Sequence, residues 1–357
     1  MTDAPFPDYQ FRGSGKPISL ADFATVSLLG KGSYAKVLLV RRIVDSKLYA
    51  LKILKKKVVY EKKQKRHVLA EKEILSALTE APFFVQFYGS FQNQKKLFFL
   101  LEYCPGGELF RLIQQRSRLS EAHARFYACQ LVLAIGSLHK RRVIYRDLKP
   151  ENVMLDSEGY VKVVDFGLSK MVAEGDSTKS ICGTPEYFAP EVVERQPYGP
   201  AVDWWTVGCM VFEMVNGLPP FYKDNREELF EGIKLENPKL PKHVTPECRQ
   251  FISELLTKDP SKRLGSAGDL AEVKTHPWFN GINWDFVIQK RYAAPYAPKV
   301  GSNMGVQNFD RMFTGADPDS LDGSESLPLF SGFDWNGESL RLEKADTSAS
   351  KKVPKAQ

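Results

Sequence analysis

Apolar and polar positions change rhythm twice along the chain. Residues 1–21 are rich in proline and glycine, hold few apolar positions and read as a mobile arm. After Asp22, FATVSLLGKGSYAKVLLVRR is two β-rich runs joined across Gly30, Lys31, Gly32 and Ser33, and 48–54 predicts a third strand. Side chains on a strand alternate, so Ala50 and Lys52 project to one side, toward the glycine turn. Residues 59–78 read as helix. Val68, Leu75 and Leu78 lie three before, four after and seven after Glu71, which puts that carboxylate on the buried stripe and leaves Glu73 off it. A carboxylate there wants a cation, and Lys52 is the obvious one. LFFLLE at 97–102 predicts a buried strand, and 103–107 a turn. Beyond Glu108 the apolar spacing becomes helical over 120–140, 201–216 and 246–256. The expected class is α+β and bilobal: a small antiparallel β-sheet lobe with one helix, then a larger, mainly helical lobe.

Composition narrows this little. The 357 residues can bury a large core in one two-lobed domain, and 43% hydrophobic content with 12% aromatic is ordinary for a soluble protein. No window is apolar for long enough to span a bilayer, and the first ten residues show no signal-peptide core, so no membrane domain is expected. The five cysteines are scattered without metal-ligand spacing, and an odd count suits reduced thiols in a cytoplasmic or nuclear setting. A net charge of +7 permits nucleic-acid binding. The basic run 52–66 lacks interleaved exposed aromatics, so no nucleic-acid partner is expected, and the chain reads as a monomer.

Candidate chemistry concentrates in 145–167, YRDLKPENVMLDSEGYVKVVDFG. Asp147, Lys149, Asn152 and Asp165 supply two carboxylates, a cation and an amide. Val161, Val163 and Val164 read as a short buried strand closing a hairpin, and two loops a hairpin apart bring all four side chains to one cleft. An Asp to accept a hydroxyl proton, an Asn and an Asp for magnesium, and a Lys for a moving phosphoryl group are what phosphoryl transfer needs. A polar turn before a core strand explains one Asp or Asn. It does not explain YRDLKPEN followed by DFG. The pair Gly30 and Gly32 lets backbone N–H groups approach phosphate oxygens, although taken by itself it fits a plain hairpin turn better.

These motifs resemble the catalytic and metal loops of protein kinases. The resemblance continues through CGTPEYFAPE at 182–191, DWW at 203–205, Arg263 in DPSKRLG with Glu191 as its expected buried partner, and THPWF at 275–279. Tyr145 at the head of the catalytic motif, the activation segment SICGTPEY, and a tail with NFDRMFTG and FSGFDW narrow it to the AGC group of serine/threonine kinases. The style is that of the protein kinase B, serum-kinase and protein kinase N branch, without an N-terminal regulatory domain. The resemblance implies an arm at 1–21, a kinase domain at 22–279, an AGC-type tail at 280–337 and a disordered end at 338–357. A catalytically silent scaffold is disfavoured because Lys52, Glu71, Asp147, Asn152 and Asp165 are all intact.

What the resemblance implies is ATP- and Mg2+-dependent phosphorylation of Ser or Thr in proteins, with Thr184 marking that preference. Asp147 would accept the hydroxyl proton, Lys149 would neutralise the γ-phosphate, and Asn152 and Asp165 would hold magnesium. Lys52, fixed by Glu71, would hold the α- and β-phosphates. Leu29, Gly30, Lys31, Gly32, Ser33, Val37, Ala50 and Met154 would line the nucleotide, with Ala35 where a third glycine is usual. Adenine would bond the backbone at Glu102 and Cys104, with Leu101 guarding the back pocket and Phe309 lying across the nucleotide. Glu108, Glu151 and Glu213 stand where basophilic members hold arginines preceding the phosphosite, and Glu108 and Glu151 also near the ribose. Ser180 would be the activation phosphosite for an upstream kinase, with Arg146, Lys170 and His67 as its cations. Phe330, Phe333, Asp334 and Trp335 form the hydrophobic motif, Asp334 standing where a phosphorylatable residue is common. Its groove would be walled by Val58, Val59, Ser90, Gln92, Leu97 and Phe99, with Lys56 near the acid. The tail has no Thr-Pro or Ser-Pro, and Ser320 is a weak stand-in for a turn-motif phosphosite.

Overall fold

The structure, a computed structural model, describes residues 18–32, 35–79, 81–173, 177–298, 306–314 and 327–336. The chain divides into two compact units, one formed by 1–65, 86–103 and 315–357, the other by 66–85 and 104–314.

The first unit is an antiparallel sheet. Its strands are β1 (Phe23–Lys31), β2 (Ala35–Arg42), β3 (Leu48–Lys55), β4 (Phe87–Gln92) and β5 (Lys96–Glu102), in the spatial order β1-β2-β3-β5-β4. β5 lies between β3 and β4 with both faces covered, and this accounts for its unbroken apolar run Leu97–Leu100. The register sets Val37 opposite Lys52 and Leu39 opposite Ala50. Bulges interrupt β1 on either side of Leu28, just before the glycine turn. The end of the tail adds a further strand, Trp335–Asn336, antiparallel to β4. It covers what would otherwise be an open sheet edge. Gly89 makes this approach possible, because a Cβ there would sit 2.8 Å from the Trp335 carbonyl oxygen.

The single helix expected over 59–78 is two helices, α1 (Lys56–Glu61) and α2 (Lys65–Ala77). Lys63 between them adopts a left-handed φ of 54°. Glu61, Lys62 and Lys63 are exposed, so no burial carries a helix through them. α2 belongs almost entirely to the second unit and buries Val68, Glu71, Ile74 and Leu75.

The second unit is mainly helical: α3 (Leu109–Arg116), α4 (Glu121–Lys140), α5 (Pro190–Val193), α6 (Ala201–Asn216), α7 (Arg226–Leu235), α8 (Pro246–Leu255), α9 (Asp269–Lys274), α10 (Trp284–Ile288) and α11 (Arg311–Thr314). α6 is buried along its whole length from Val202 to Val215, as its all-round apolar sequence requires, and packs on α4 and α8. Side-chain caps start α4 at Ser120, α7 at Asn225 and α8 at Thr245, and Gly217 ends α6 at φ 93°. β6 (Gly107–Glu108), β8 (Val153–Leu155) and β9 (Val161–Val163) form a small sheet, while β7 (Val143–Ile144) pairs with β10 (Lys170–Met171). Arg263, 1% exposed, binds Glu191 through both terminal nitrogens at 2.7 and 2.9 Å. It also donates to the carbonyls of Thr257, Lys258 and Ala201, so a buried charge that would otherwise be costly is fully satisfied. No described helix is long and apolar enough to cross a membrane.

Candidate active site

The segment 145–149 is fastened from below by α6. Asp203, fully buried, accepts backbone hydrogen bonds from Tyr145 at 2.8 Å and Arg146 at 2.9 Å. His139 of α4 holds the same carboxylate through Nε2 at 2.9 Å, and its Nδ1 reaches Asp269 at 2.7 Å. Burial opposes charging of this ring, but the two carboxylates outweigh it and push its pKa up to about 9. Near neutral pH it is an imidazolium that donates from both nitrogens. Tyr145 is buried too; its hydroxyl donates to the Val164 carbonyl and its ring meets Phe166 edge-on at 5.5 Å. The tyrosine therefore ties the start of the catalytic loop to the segment before DFG.

Above this floor the four polar residues gather in pairs. The Asn152 amide donates to Asp147 twice, at 2.8 Å each, once to the carboxylate and once to the carbonyl. Lys149 Nζ lies 3.4 Å from the Asp147 carboxylate and donates to Thr184 Oγ1 at 2.7 Å. Thr184 in turn donates to Asp147 Oδ1 at 3.2 Å. Burial raises the Asp147 pKa, Asp165 adds to the rise, and Lys149, Asn152 and Thr184 oppose it. Asp165 is exposed, has a left-handed φ of 56° and accepts from Gly167 N at 3.2 Å. Such a backbone conformation in a residue other than glycine is uncommon, and Asp tolerates it better than most. Glu71 also comes close, its Oε2 3.7 Å from where a Cβ on Gly167 would stand.

The donor set fits magnesium. Both Asn152 amide hydrogens are engaged at Asp147, so that side chain presents its oxygen, and Asp165 presents a carboxylate. These are hard oxygen donors, and magnesium commonly takes one or two of them together with phosphate oxygens and waters. Among the described residues no group of three or more His, Cys, Asp or Glu could hold a metal.

Three further carboxylates lie in this unit. Glu108 ends β6, Glu151 precedes β8, and Glu213 sits on α6. Burial raises the pKa of all three, and Glu151 adds to the rise at both Glu108 and Glu213. Glu213 is not the surface acid its residue type suggests. It is 2% exposed, accepts from the Tyr187 hydroxyl at 2.5 Å, and its pKa is pushed up to about 7. One oxygen of Glu151 is buried without a hydrogen-bond partner.

Ser180 is exposed, and Arg146 Nη1 donates to its hydroxyl at 2.7 Å. Thr178 Oγ1 lies 3.1 Å from the same oxygen, and Tyr198 donates to the Ser180 carbonyl at 2.6 Å. Lys170 is on β10 opposite Ile144, and His67 is exposed on α2. Cys104 is buried, Met154 lies on β8, and Phe309 is 7% exposed. Beside Phe309, the Asn308 side chain donates to the Pro105 carbonyl at 2.7 Å.

In the first unit, Leu29 is buried and Gly30 pairs with Val37 across β1 and β2. A Cβ on Gly30 would meet nothing within 4 Å, so packing does not demand that glycine. Lys31 and Gly32 are exposed, Gly32 N donates to the Ala35 carbonyl at 2.8 Å, and Ser33 lies outside the described residues. Ala50 and Lys52 are on β3 opposite Leu101 and Phe99, and Glu102 closes β5.

The tail motif is seated on the same sheet. Ser90 donates to the Phe333 carbonyl at 2.5 Å, and Gln92 exchanges hydrogen bonds with the Phe330 backbone at 2.9 and 2.7 Å. Phe330 meets Tyr60 edge-on at 5.1 Å beneath Lys56 and Lys65, Phe333 meets Phe99 at 5.2 Å, and Trp335 stacks on Phe87 at 4.7 Å. Asp334 accepts from Gln92 at 3.0 Å. Lys56 gives its own hydrogen bond to the Pro328 carbonyl at 3.1 Å. Burial lowers the Lys56 pKa, and the charge of Asp334 opposes that shift. Phe87, Tyr60 and Lys65 belong to this seat although the sequence singled out none of them. Alternation from Ser90 and Gln92 did not reveal Phe87, because β4 shifts register between Phe87 and Gly89.

The protein kinase domain family matches residues 23–279. The chain belongs to the protein kinase family. This kinase is 42% identical to serine/threonine-protein kinase Sgk1 of Xenopus tropicalis over 88% of its own length and 78% of that protein. The Sgk1 proteins of Homo sapiens and Rattus norvegicus are also 42% identical, over 88% of this kinase and 76% of each of them. It is a serine/threonine protein kinase of the AGC group, of the Sgk1 type.

Proposed function

We propose that this kinase moves the γ-phosphoryl group of ATP to Ser or Thr hydroxyls that follow basic residues. The preference is arginine three residues before the target, with a second basic residue two or five before it. The observation that supports the transfer is the network around Asp147. One oxygen of its carboxylate is fixed by Asn152 and Lys149 and the other by Thr184, which leaves it oriented to take a hydroxyl proton. Burial has raised its pKa, which makes it a better base for that step than an exposed Asp. Lys149 is held beside it to meet the shifting phosphate charge. Lys52 takes the α- and β-phosphates. Gly30 and Gly32 leave the phosphates room against the backbone. Asn152 and Asp165 would hold Mg2+, which when bound offsets the charge that builds on the phosphate oxygens. Because the transition state is loose, fixed charges and positions do most of the work.

The substrate preference rests on Glu108, Glu151 and Glu213, acids whose pKa values are raised by burial, Glu151 adding to the rise at the other two. A guanidinium supplies the missing cation and favours their ionised forms. Regulation follows from two charges. Phosphate on Ser180 would add about −1.5 to −2 charges beside Arg146, with Lys170 and His67 as further cations. Asp334 gives the tail motif a permanent acid, so its seating needs no second kinase. A peptide-library phosphorylation profile of the purified chain tests the substrate reading. Enrichment of arginine three residues before the target is expected; a profile indifferent to basic residues would contradict it.

A further inference from the structure

The turn joining β8 to β9 is gripped by the chain that follows α10. Lys290 Nζ lies 2.5 Å from Asp156 Oδ2 and 3.3 Å from Glu158 Oε2, and the same cation sits 4.9 Å over the Tyr160 ring. Tyr160 replies through its hydroxyl, which donates to the Lys290 carbonyl at 2.6 Å and reaches the Tyr292 carbonyl as well. Asp156 uses its second oxygen inside the turn, accepting from the amides of Glu158 and Tyr160 at 2.9 Å each. Gly159, at φ 88°, presses directly on the Tyr296 carbonyl, leaving no room for a side chain. From the other side Gln130 of α4 accepts from Val161 N at 2.8 Å. Every residue of the turn except Ser157 is therefore held by a side chain or by the 290–296 strap.

The turn matters because of what hangs on its far end. β8 and β9 are three residues each, which at about 3.4 Å per residue makes a lever of roughly 10 Å. Asn152 immediately precedes β8, and Asp165 follows β9 with only Val164 between. Nothing in phosphoryl transfer itself calls for Lys290, Asp156 or Tyr160.

We propose that the 290–296 strap, with Lys290 as its positioning residue, sets the spacing of Asn152 and Asp165 by clamping the hairpin that bears them. This rests on the reading that these two residues hold magnesium. Loosening the clamp costs metal affinity before it costs fold, since the hairpin strands stay paired while their free ends gain freedom. Outer-shell partners of a metal ligand are commonly worth about 10–100-fold in metal affinity. Acting one lever-length away, Lys290 should be worth about threefold to tenfold.

The test compares Lys290→Met, Lys290→Gln and Lys290→Arg with the full-length parent, reading the Mg2+ concentration for half-maximal turnover at fixed ATP. Amide hydrogen exchange at Tyr160 and Val161 in metal-free protein is the second reading. Met and Gln should raise the Mg2+ requirement by about threefold to tenfold, with turnover at saturating Mg2+ near the parent's and exchange at both amides faster. Arg, which keeps the charge, should restore much of both. An unchanged Mg2+ requirement in Met and Gln overturns the proposal, whether or not melting temperature falls, because a merely structural clamp would lower stability alone. A parent that needs no Mg2+, or Asp165→Asn with full activity, would instead overturn the magnesium reading beneath it.

Discussion

Glu213 illustrates how burial turns an ordinary side chain into a conditional one. Its pKa is pushed up to about 7, first by burial, then by Glu151 and Glu186, against the hydrogen bond from Tyr187. The charge that would recognise arginine is therefore present above about pH 7 and is lost as pH falls through that value. The ratio of kcat/KM for an arginine peptide to that for its norleucine counterpart should rise with pH across this range. A charged hydrogen bond contributes about 1.5–3 kcal/mol, so the rise should be roughly tenfold or more. Glu213→Gln should flatten it, and a wild-type ratio constant from pH 6 to 8 would contradict the assignment. Glu213 was legible only as a residue type at an expected position; its burial under Tyr187 was not. Asp147, Lys149, Asn152 and Asp165 were legible because the chemistry falls within one short stretch. The anchors His139, Asp203 and Asp269 were not, since they are dispersed over three helices and meet only in the folded chain.

Among the elements, the proposed regulation belongs to the tail motif and the activation segment. Phe330 and Phe333 are 1% and 0% exposed, whereas Asp334 is exposed. Full burial of a Phe ring contributes about 1.5–3 kcal/mol, against about 0–1 kcal/mol for an exposed charge contact. Phe330→Ala and Phe333→Ala should lower melting temperature and turnover strongly, and Asp334→Ala only modestly. Deleting 328–357 without effect on either quantity would show the seating to be incidental. For the activation segment, active protein should carry phosphate on Ser180 by mass spectrometry, and Ser180→Ala should lose most activity; full activity in that variant would refute the assignment. The helical spacing over 120–140, 201–216 and 246–256 matches α4, α6 and α8 to within a residue. Alternation and apolar runs marked β1, β2, β3 and β5, while the break between α1 and α2 depended on a left-handed Lys63 among exposed charges, which periodicity does not report.

For the whole molecule, membership of the protein kinase family and the α+β class were both legible from motif order, because YRDLKPEN, DFG, CGTPEYFAPE and the tail signatures occur in one register. Lys52 belongs to the first unit and Asp147 to the second. The most direct test is transfer of labelled phosphate from ATP to a serine peptide with arginine three residues upstream. It compares the wild type with Asp147→Asn and Lys52→Met at saturating Mg2+. Loss of a general base typically costs 10²–10⁴-fold, so Asp147→Asn should fall by about a hundredfold or more. Lys52→Met, which misplaces the nucleotide, should lose most turnover too, each variant keeping the wild-type circular dichroism spectrum and melting temperature. Turnover in Asp147→Asn comparable to wild type would contradict phosphoryl transfer at this site.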